Sequence, residues 1–348
     1  MVNLSTFIKY HGLASPERAA IFYKGEYLTY ANLYDRIQRL AGFLLDKGVK
    51  PGNVVAVLMK NSSAFIEIAF AVSHIGAVFL PINFRLAPEE INYICENSDA
   101  KILFLDEEFE NQDFTTPCAS VDNKAQSDTR FLHGGYERVE AFPRFTDDLF
   151  RLMYTSGTTS RPKGVMHTYS NFYWKCIDHS IVLDLNAGVR LLVAGPLYHV
   201  GAFDLPGIGV LWRGGMLAIQ RDFDPVLCLR LIDDQSLNAG WLAPIMTSAL
   251  LESAGSERAN LSSMKWIIGG GERTPEQRIR DFSSVFPNAR YVDAYGLTES
   301  GSGDTFMEAG KELEKIGSTG RATPHVEIKI KDEKGKTLTS GQTGEICL

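Results

Sequence analysis

The sequence predicts an α/β protein: two mostly parallel sheets with helices packed in layers, plus the start of a small antiparallel β-barrel. Three observations carry this. Strand-like and helix-like segments alternate over most of the length, and repeated strand–helix units imply parallel sheets covered by helices. A polar, weakly patterned stretch from about 106 to 148 reads as a surface connection between two such series. Near Gly317 the pattern turns to alternating residues, as in Val326-Glu-Ile-Lys-Ile330, with a turn at Lys334-Gly335-Lys336. The expected division is a first sub-domain over 1–148, including the 106–148 linker, a second over 149–316, and an incomplete barrel over 317–348. For 348 residues, a prior of roughly 150 residues per domain allows such a split.

The elements follow in order. Leu33, Ile37, Leu40, Ala41, Leu44 and Leu45 mark one helix face, which Thr29 can cap and Gly48, Pro51 and Gly52 end. Val54–Met59 is a buried strand, followed by a helix over Ser63–His74 and a strand over Val78–Pro81. A helix from Pro88 leads to the strand Lys101–Leu105. In the second series, strands fall at Phe150–Tyr154, Arg190–Ala194, Met216–Ile219, Asn238–Leu242, Lys265–Ile268 and Arg290–Tyr295. There is no internal repeat.

Composition narrows the class. Lys+Arg total 35 and Asp+Glu 42, a net charge of −7, with 45% hydrophobic and 22% charged residues. These values fit a soluble protein with a sizeable core and exclude a disordered or fibrous chain. The acidic excess argues against nucleic acid as a partner. Five irregularly spaced cysteines fit reduced thiols and a cytoplasmic location. Cys176-Ile-Asp-His179 has ligand-like spacing, but no second pair follows to suggest zinc. No leader is expected from the N-terminal residues, which hold no long apolar stretch. The apolar run from Ile68 to Phe84 is broken by Ser73-His74, Gly76, Pro81 and Asn83, so no membrane-spanning segment is expected.

The most informative segment is Tyr154-Thr-Ser-Gly-Thr-Thr-Ser-Arg-Pro-Lys-Gly-Val165. It follows a predicted strand and gathers hydroxyls, glycines and two cations in one loop. Hydroxyls, free backbone N–H groups and a Lys ammonium are what phosphate oxygens need. It is not a Walker loop, because Pro162 stands where the second glycine would be. A nucleotide site is expected here rather than a polar surface turn.

Thr155-Ser-Gly-Thr-Thr-Ser-Arg-Pro-Lys-Gly164 resembles the signature loop of adenylate-forming enzymes. That family includes acyl- and aryl-CoA synthetases, luciferases and the adenylation domains of peptide synthetases. Ser160 stands where glycine is more usual. Further segments match in order: His74–Asn83, Pro196-Leu-Tyr-His-Val-Gly201, Gly269-Gly-Gly-Glu272, Asp293-Ala-Tyr-Gly-Leu-Thr-Glu299 and Gly317–Ala322. The resemblance covers the whole chain and is most specific in the two signature loops.

The resemblance implies ATP-dependent activation of a carboxylic acid as acyl-AMP, with release of pyrophosphate, then acyl transfer to CoA. Two anions must meet, so charge stabilisation and positioning dominate. By family likeness, Lys163 and the loop residues Thr155, Ser156, Gly157, Thr158 and Thr159 hold the β- and γ-phosphates. Thr298 contacts the α-phosphate and Glu299 binds Mg²⁺. Gly270, Gly271, Glu272, Asp293, Ala294, Tyr295 and Gly296 form the adenine site, with Tyr295 stacking and Asp293 accepting from the exocyclic amine. His199 lines the carboxylate pocket and gates the thiol acceptor. The pocket residues are His199, Gly201, Leu205, Gly269, Gly270 and Gly301. Their glycines leave room for a bulky acyl group that Trp241 or Phe203 could fill.

Other readings stay open. Asp204 could recognise an amino group, as in an amino-acid adenylation domain. A non-catalytic ATP- or acyl-adenylate-binding module would carry the same loops. A homodimer is left open. A serine hydrolase is disfavoured, since no Gly-x-Ser-x-Gly occurs. The match ends at Gly344-Glu-Ile, before the family's ribose aspartate, hinge and C-terminal lysine. The expectation is therefore a large N-terminal part without the lid domain and with impaired turnover. One missing transition-state donor alone typically costs about 10²–10³ in rate.

Overall fold

The computed structural model describes residues 2–121, 135–155 and 161–348. The first series opens with the helix Ser5–Ala14 and the hairpin β1 (Ala19–Tyr23) and β2 (Glu26–Thr29). The helix Tyr30–Asp46 begins where the Thr29 hydroxyl accepts from the Asn32 N–H at 3.2 Å. It stops before Gly48, whose φ of +76° suits a residue without a side chain. Next come β3 (Val54–Leu58), the helix Ser63–His74, β4 (Val78–Pro81), the helix Pro88–Asn97, β5 (Ala100–Asp106) and β6 (Cys118–Val121). β7 (Leu149–Thr155) and β8 (Lys163–Thr168) form an antiparallel hairpin, followed by the helix Tyr169–Val182. The remaining strands are β9 (Arg190–Val193), β10 (Met216–Ile219), β11 (Ala239–Leu242), β12 (Trp266–Gly269), β13 (Arg290–Tyr295), β14 (Thr305–Phe306), β15 (Arg321–Ala322), β16 (Lys329–Lys331) and β17 (Glu345–Cys347).

Two large sheets result. Six strands run in the order β6-β5-β3-β4-β7-β8, parallel except for the β7–β8 pair. Nine strands run β15-β14-β13-β12-β11-β9-β10-β1-β2, parallel through the centre and antiparallel at both edges. The sheets exchange strands across residue 148, since β1–β2 join the larger sheet and β7–β8 the smaller.

Strand alternation explains the layers. Val55 and Val57 point into a core shared with Leu191 and Val193, while Val54, Ala56 and Leu58 face an outer cluster with Ile91 and Ile94. Leu192 and Ala194 face a second outer cluster with Leu229, Leu250 and Phe282. The two sheets thus sandwich a common middle layer. All twelve residues of the helix Ser63–His74 are buried there, and its Glu67 pairs with Arg36 at 3.1 Å.

Residues 135–148 are tied down rather than free on the surface. His74 Nε2 and the Gln38 amide both reach the Val139 carbonyl, at 2.8 and 3.3 Å, and the Phe142 N–H donates to the His74 carbonyl. Tyr136, Val139 and Phe142 pack on the core three residues apart, yet the segment forms neither helix nor strand, and three such positions are too few to read as a pattern in the sequence. Beyond Gly317, β16 and β17 form a two-stranded antiparallel ladder, Lys329 opposite Cys347. The expected strand start at Val326 is displaced to Lys329. Val326 N–H closes a turn on the Thr323 carbonyl, and His325 is held by Asp178 at 2.6 Å. No helix among the described residues is long and apolar enough to cross a membrane.

Candidate active site

The β7–β8 hairpin pairs Thr155 with Lys163, so both stand at the base of the hydroxyl-rich loop. Lys163 is exposed there. Ser156, Gly157, Thr158 and Thr159 lie outside the described residues. Arg161 lies 5.2 Å over the Tyr93 ring.

The adenine-site residues come together at the carboxyl ends of parallel strands, where open α/β sheets bind ligands. Gly269 at the end of β12 pairs with Asp293 on β13. The turn that follows brings Gly270 so close that a Cβ would lie 3.0 Å from the Ala294 carbonyl. Gly271 has φ +96°, and Glu272 is exposed beside it. Asp293 is only 6% exposed and accepts from the Thr274 hydroxyl at 3.4 Å, with no cation paired to it among the described residues. Burial raises its carboxyl to about 6, opposed by the Thr274 hydrogen bond and the Ala294 backbone. The carboxylate is thus disfavoured in the fold. Its penalty is absent below the unfolded value near 3.8 and complete above about 6. Asp293→Asn should therefore raise the unfolding free energy from urea titration at pH 8 by roughly 2–3 kcal/mol, and the gain should vanish toward pH 4. A gain independent of pH would show that the carboxyl is not the cause.

Tyr295 ends β13, half-buried, and Gly296 follows. A Cβ on Gly296 would overlap the Gly303 N–H, so the chain doubles back tightly between them. Between these points lies the Thr298–Glu299 turn. The Thr298 carbonyl accepts from Gly301 N–H at 3.1 Å, and the Leu297 carbonyl from Ser302 N–H at 2.9 Å. Fully buried Asp304 holds the turn from inside, accepting from Ser300 and from Lys175 on the helix Tyr169–Val182. Thr298 is half-buried and Glu299 exposed, which leaves that carboxylate accessible.

His199 lines a cavity of about 520 Å³ together with Phe84, Trp241, Met246, Gly270 and Glu272. Its Nδ1 accepts from the Gly201 N–H at 3.0 Å, so the neutral ring carries its proton on Nε2. His199 as a whole residue is exposed. Protein packed around the ring, and then the Arg151 charge, lower its pKa. The neighbouring loop hangs on Asn61. Its amide donates to the Gly195 and Gln220 carbonyls at 2.8 and 3.1 Å and accepts from the Leu197 N–H at 2.8 Å. Asn61→Ala would strand three buried groups, at about 1 kcal/mol or more each. An unfolding free energy lowered by roughly 3 kcal/mol is expected. A loss under about 1 kcal/mol would mean that the loop holds itself.

The expected acyl-pocket residues do not form one group. His199 and Gly270 line the cavity. The space beside Gly201 and Gly195 is filled by the Trp241 indole, which a Cβ at either position would overlap. The Tyr291 hydroxyl fills the space at Gly269 in the same way. Leu205 is core, packed against Gly303. Gly301 lies near Lys175 and lines a separate small pocket with His167 and Asp204. Phe203 also turns inward, stacking with Phe79 at 5.7 Å. Asp204 is closed to a substrate amine, because both its oxygens are taken by Arg151 at 3.0 and 2.8 Å.

Sequence reasoning missed Arg151, His167, Lys175, Asp304 and Asn61. One signal was present: an arginine inside the apolar strand Phe150-Arg-Leu-Met153 must find a buried acid.

A model of the AMP-binding enzyme family matches residues 9–348. The chain is 32% identical over 336 residues to a feruloyl-CoA synthase from Amycolatopsis, covering 96% of this chain and 67% of that protein. It is 29% identical over 358 residues to the indoleacetate–CoA ligase of Aromatoleum aromaticum, covering 100% of this chain and 70% of that protein. Among solved structures, the N-terminal domain of FACL13 from Mycobacterium tuberculosis matches with a TM-score of 0.89 at 26% identity, over 99% of this chain and 88% of that one. The chain belongs to the family of AMP-binding enzymes, the adenylate-forming proteins whose two signature loops it carries.

Proposed function

We propose that this chain binds ATP and a carboxylic acid and joins them as an acyl-adenylate, for transfer of the acyl group to CoA. One observation carries the reading. A buried carboxylate with no cation beside it, Asp293, sits against the Gly270–Gly271 turn on the strand leading to Thr298 and Glu299. A cavity lined by His199 adjoins it. Asp293 is the acceptor an adenine amine needs, and Ala294, Tyr295 and Gly296 follow it in the chain as the residues to flank the ring. Thr155 and Lys163, with the loop between them, supply donors to the β- and γ-phosphates, and Thr298 supplies a hydroxyl to the α-phosphate.

Mg²⁺ fits as an ion bound mainly by the nucleotide. Among the described residues no three acidic, His or Cys side chains cluster as a metal cage, and Mg²⁺ commonly takes one or two carboxylates plus phosphate oxygens. Glu299 is the exposed carboxylate suited to it, and the ion would neutralise phosphate charge. In the reaction, a carboxylate oxygen of the acid bonds to the α-phosphorus and the bond to pyrophosphate breaks. The CoA thiolate then bonds to the acyl carbon and AMP leaves. His199, with its proton on Nε2, donates toward the acid's carboxylate at the cavity wall. The occupied Asp204 argues against an amino acid as the acid. The relatives named for feruloyl-CoA and indoleacetate–CoA formation support an aryl acid. The cysteine pattern supports a cytoplasmic location.

Calorimetry tests the reading. ATP with Mg²⁺ and a non-hydrolysable aryl-adenylate analogue should each bind once per chain, the analogue at least tenfold more tightly. Pyrophosphate release should depend on an added carboxylic acid. Failure to bind either ligand would sink the reading.

A further inference from the structure

Three buried side chains and the Thr298 carbonyl form a chain of hydrogen bonds whose direction is forced throughout. Asp204 holds the two terminal nitrogens of Arg151 at 3.0 and 2.8 Å. Arg151 Nε and Nη2 lie 3.1 and 2.9 Å from His167 Nδ1. A guanidinium only donates, so Nδ1 must accept and the imidazole proton must sit on Nε2. That Nε2–H donates to the Thr298 carbonyl at 2.6 Å. Arg151 and His167 are 0% and 1% exposed, and Asp204 is 6% exposed. Burial and the Arg151 charge push His167 down to about 3, which keeps the ring neutral.

The placement gives this chain a purpose. Arg151 and His167 are paired across the β7–β8 hairpin, four residues below Thr155 and Lys163. Asp204 lies five residues beyond His199. The far end is the carbonyl that closes the Thr298–Glu299 turn. A buried ion pair adds little stability over apolar side chains of the same volume, so direction is what the network contributes.

We propose that Asp204, Arg151 and His167 are positioning residues that fix the Thr298–Glu299 turn relative to the phosphate-loop hairpin. The inference rests on the functional reading above for what that turn binds. It predicts that the phosphate end of the site depends on His167 and the adenine end does not. The chain's affinity for the aryl-adenylate analogue should fall about 10–100-fold in His167→Phe, while adenosine, which has no phosphate, binds as before. His167→Gln, whose amide can still donate to the Thr298 carbonyl, should restore affinity to within a few-fold. In wild-type protein, ¹⁵N NMR should show the Nε2–H tautomer of His167 at pH 7.

Unchanged analogue affinity in a folded His167→Phe would overturn the proposal, as would an equal loss for adenosine and analogue. The Nδ1–H tautomer in wild type would also overturn it, and that result requires no variant to fold. If wild type binds neither adenosine nor the analogue, the functional reading fails, and the tautomer alone then decides the brace.

Discussion

Arg151→Met should lower the unfolding free energy by about 3–5 kcal/mol, and adding Asp204→Leu should return most of that loss. The single change leaves the Asp204 carboxylate sealed among Phe203, Leu205 and Ile208 with its bidentate partner gone. Burial already pushes that carboxyl up, opposed chiefly by Arg151. Without the arginine it must take up a proton or draw in water. The wild-type pair has fixed two desolvation costs and recovers them only as a pair, so removing both members costs far less than removing one. Some loss remains in the double variant, because Arg151 also lies 4.6 Å over the Phe172 ring and donates to His167. Urea unfolding of the four proteins of the cycle measures this. A single-variant loss below about 1 kcal/mol would place the pair in water rather than in the core. Because position 151 is on the hairpin and 204 follows His199 in the chain, the same cycle measures the coupling between those two segments.

The contrast between that network and the loops shows what a sequence exposes. The strands β3, β4, β5, β7 and β9 to β13 were legible because each is a short apolar run between turn signals, and their observed bounds lie within one residue of the expected ones at either end. The two signature loops were legible because they concentrate unusual residue types at fixed spacing. Three features were not. The hairpin β1–β2 belongs to a sheet whose next strand, β10, starts at residue 216, a pairing that no local pattern encodes. Residues 135–148 are held through backbone carbonyls such as Val139, which carry no side-chain signature. Whether the pocket glycines share one open space was not legible, because a glycine's space belongs to whichever side chain fills it. At Gly201 and Gly269 the fillers are Trp241 and Tyr291, which come from β11 and β13. Arg151 lay in plain view as a charge in an apolar strand, but its partners, 16 and 53 residues away, emerge only from the fold.

Trp241→Ala should invert the preference of the cavity for acyl size. The indole stands on β11 opposite Ile268 and Val193 and occupies the hollow left by Gly195 and Gly201. It stacks on the His199 ring at 6.2 Å and 28°, beside the group proposed to meet the carboxylate. An acyl chain that passes His199 therefore has this ring, with Ile245 and Met246, as cavity wall to pack against. Truncation joins the indole's volume to the existing cavity of about 520 Å³. Affinity for analogues with a bulky or long acyl group should rise at least tenfold relative to small aryl ones. Trp241 is 6% exposed, and a buried Trp→Ala costs about 3–5 kcal/mol. The lower end is expected here, because one face of the ring already borders the cavity. Trp241→Leu, with a smaller loss of packing, should shift the preference in the same direction by less. Gly201→Ala should act oppositely, driving the indole toward the cavity and weakening every analogue. Calorimetry with an acyl-length series ranks these outcomes. An unchanged ranking in folded Trp241→Ala would place the acyl group elsewhere, and His199 would then lose its part in meeting the acid.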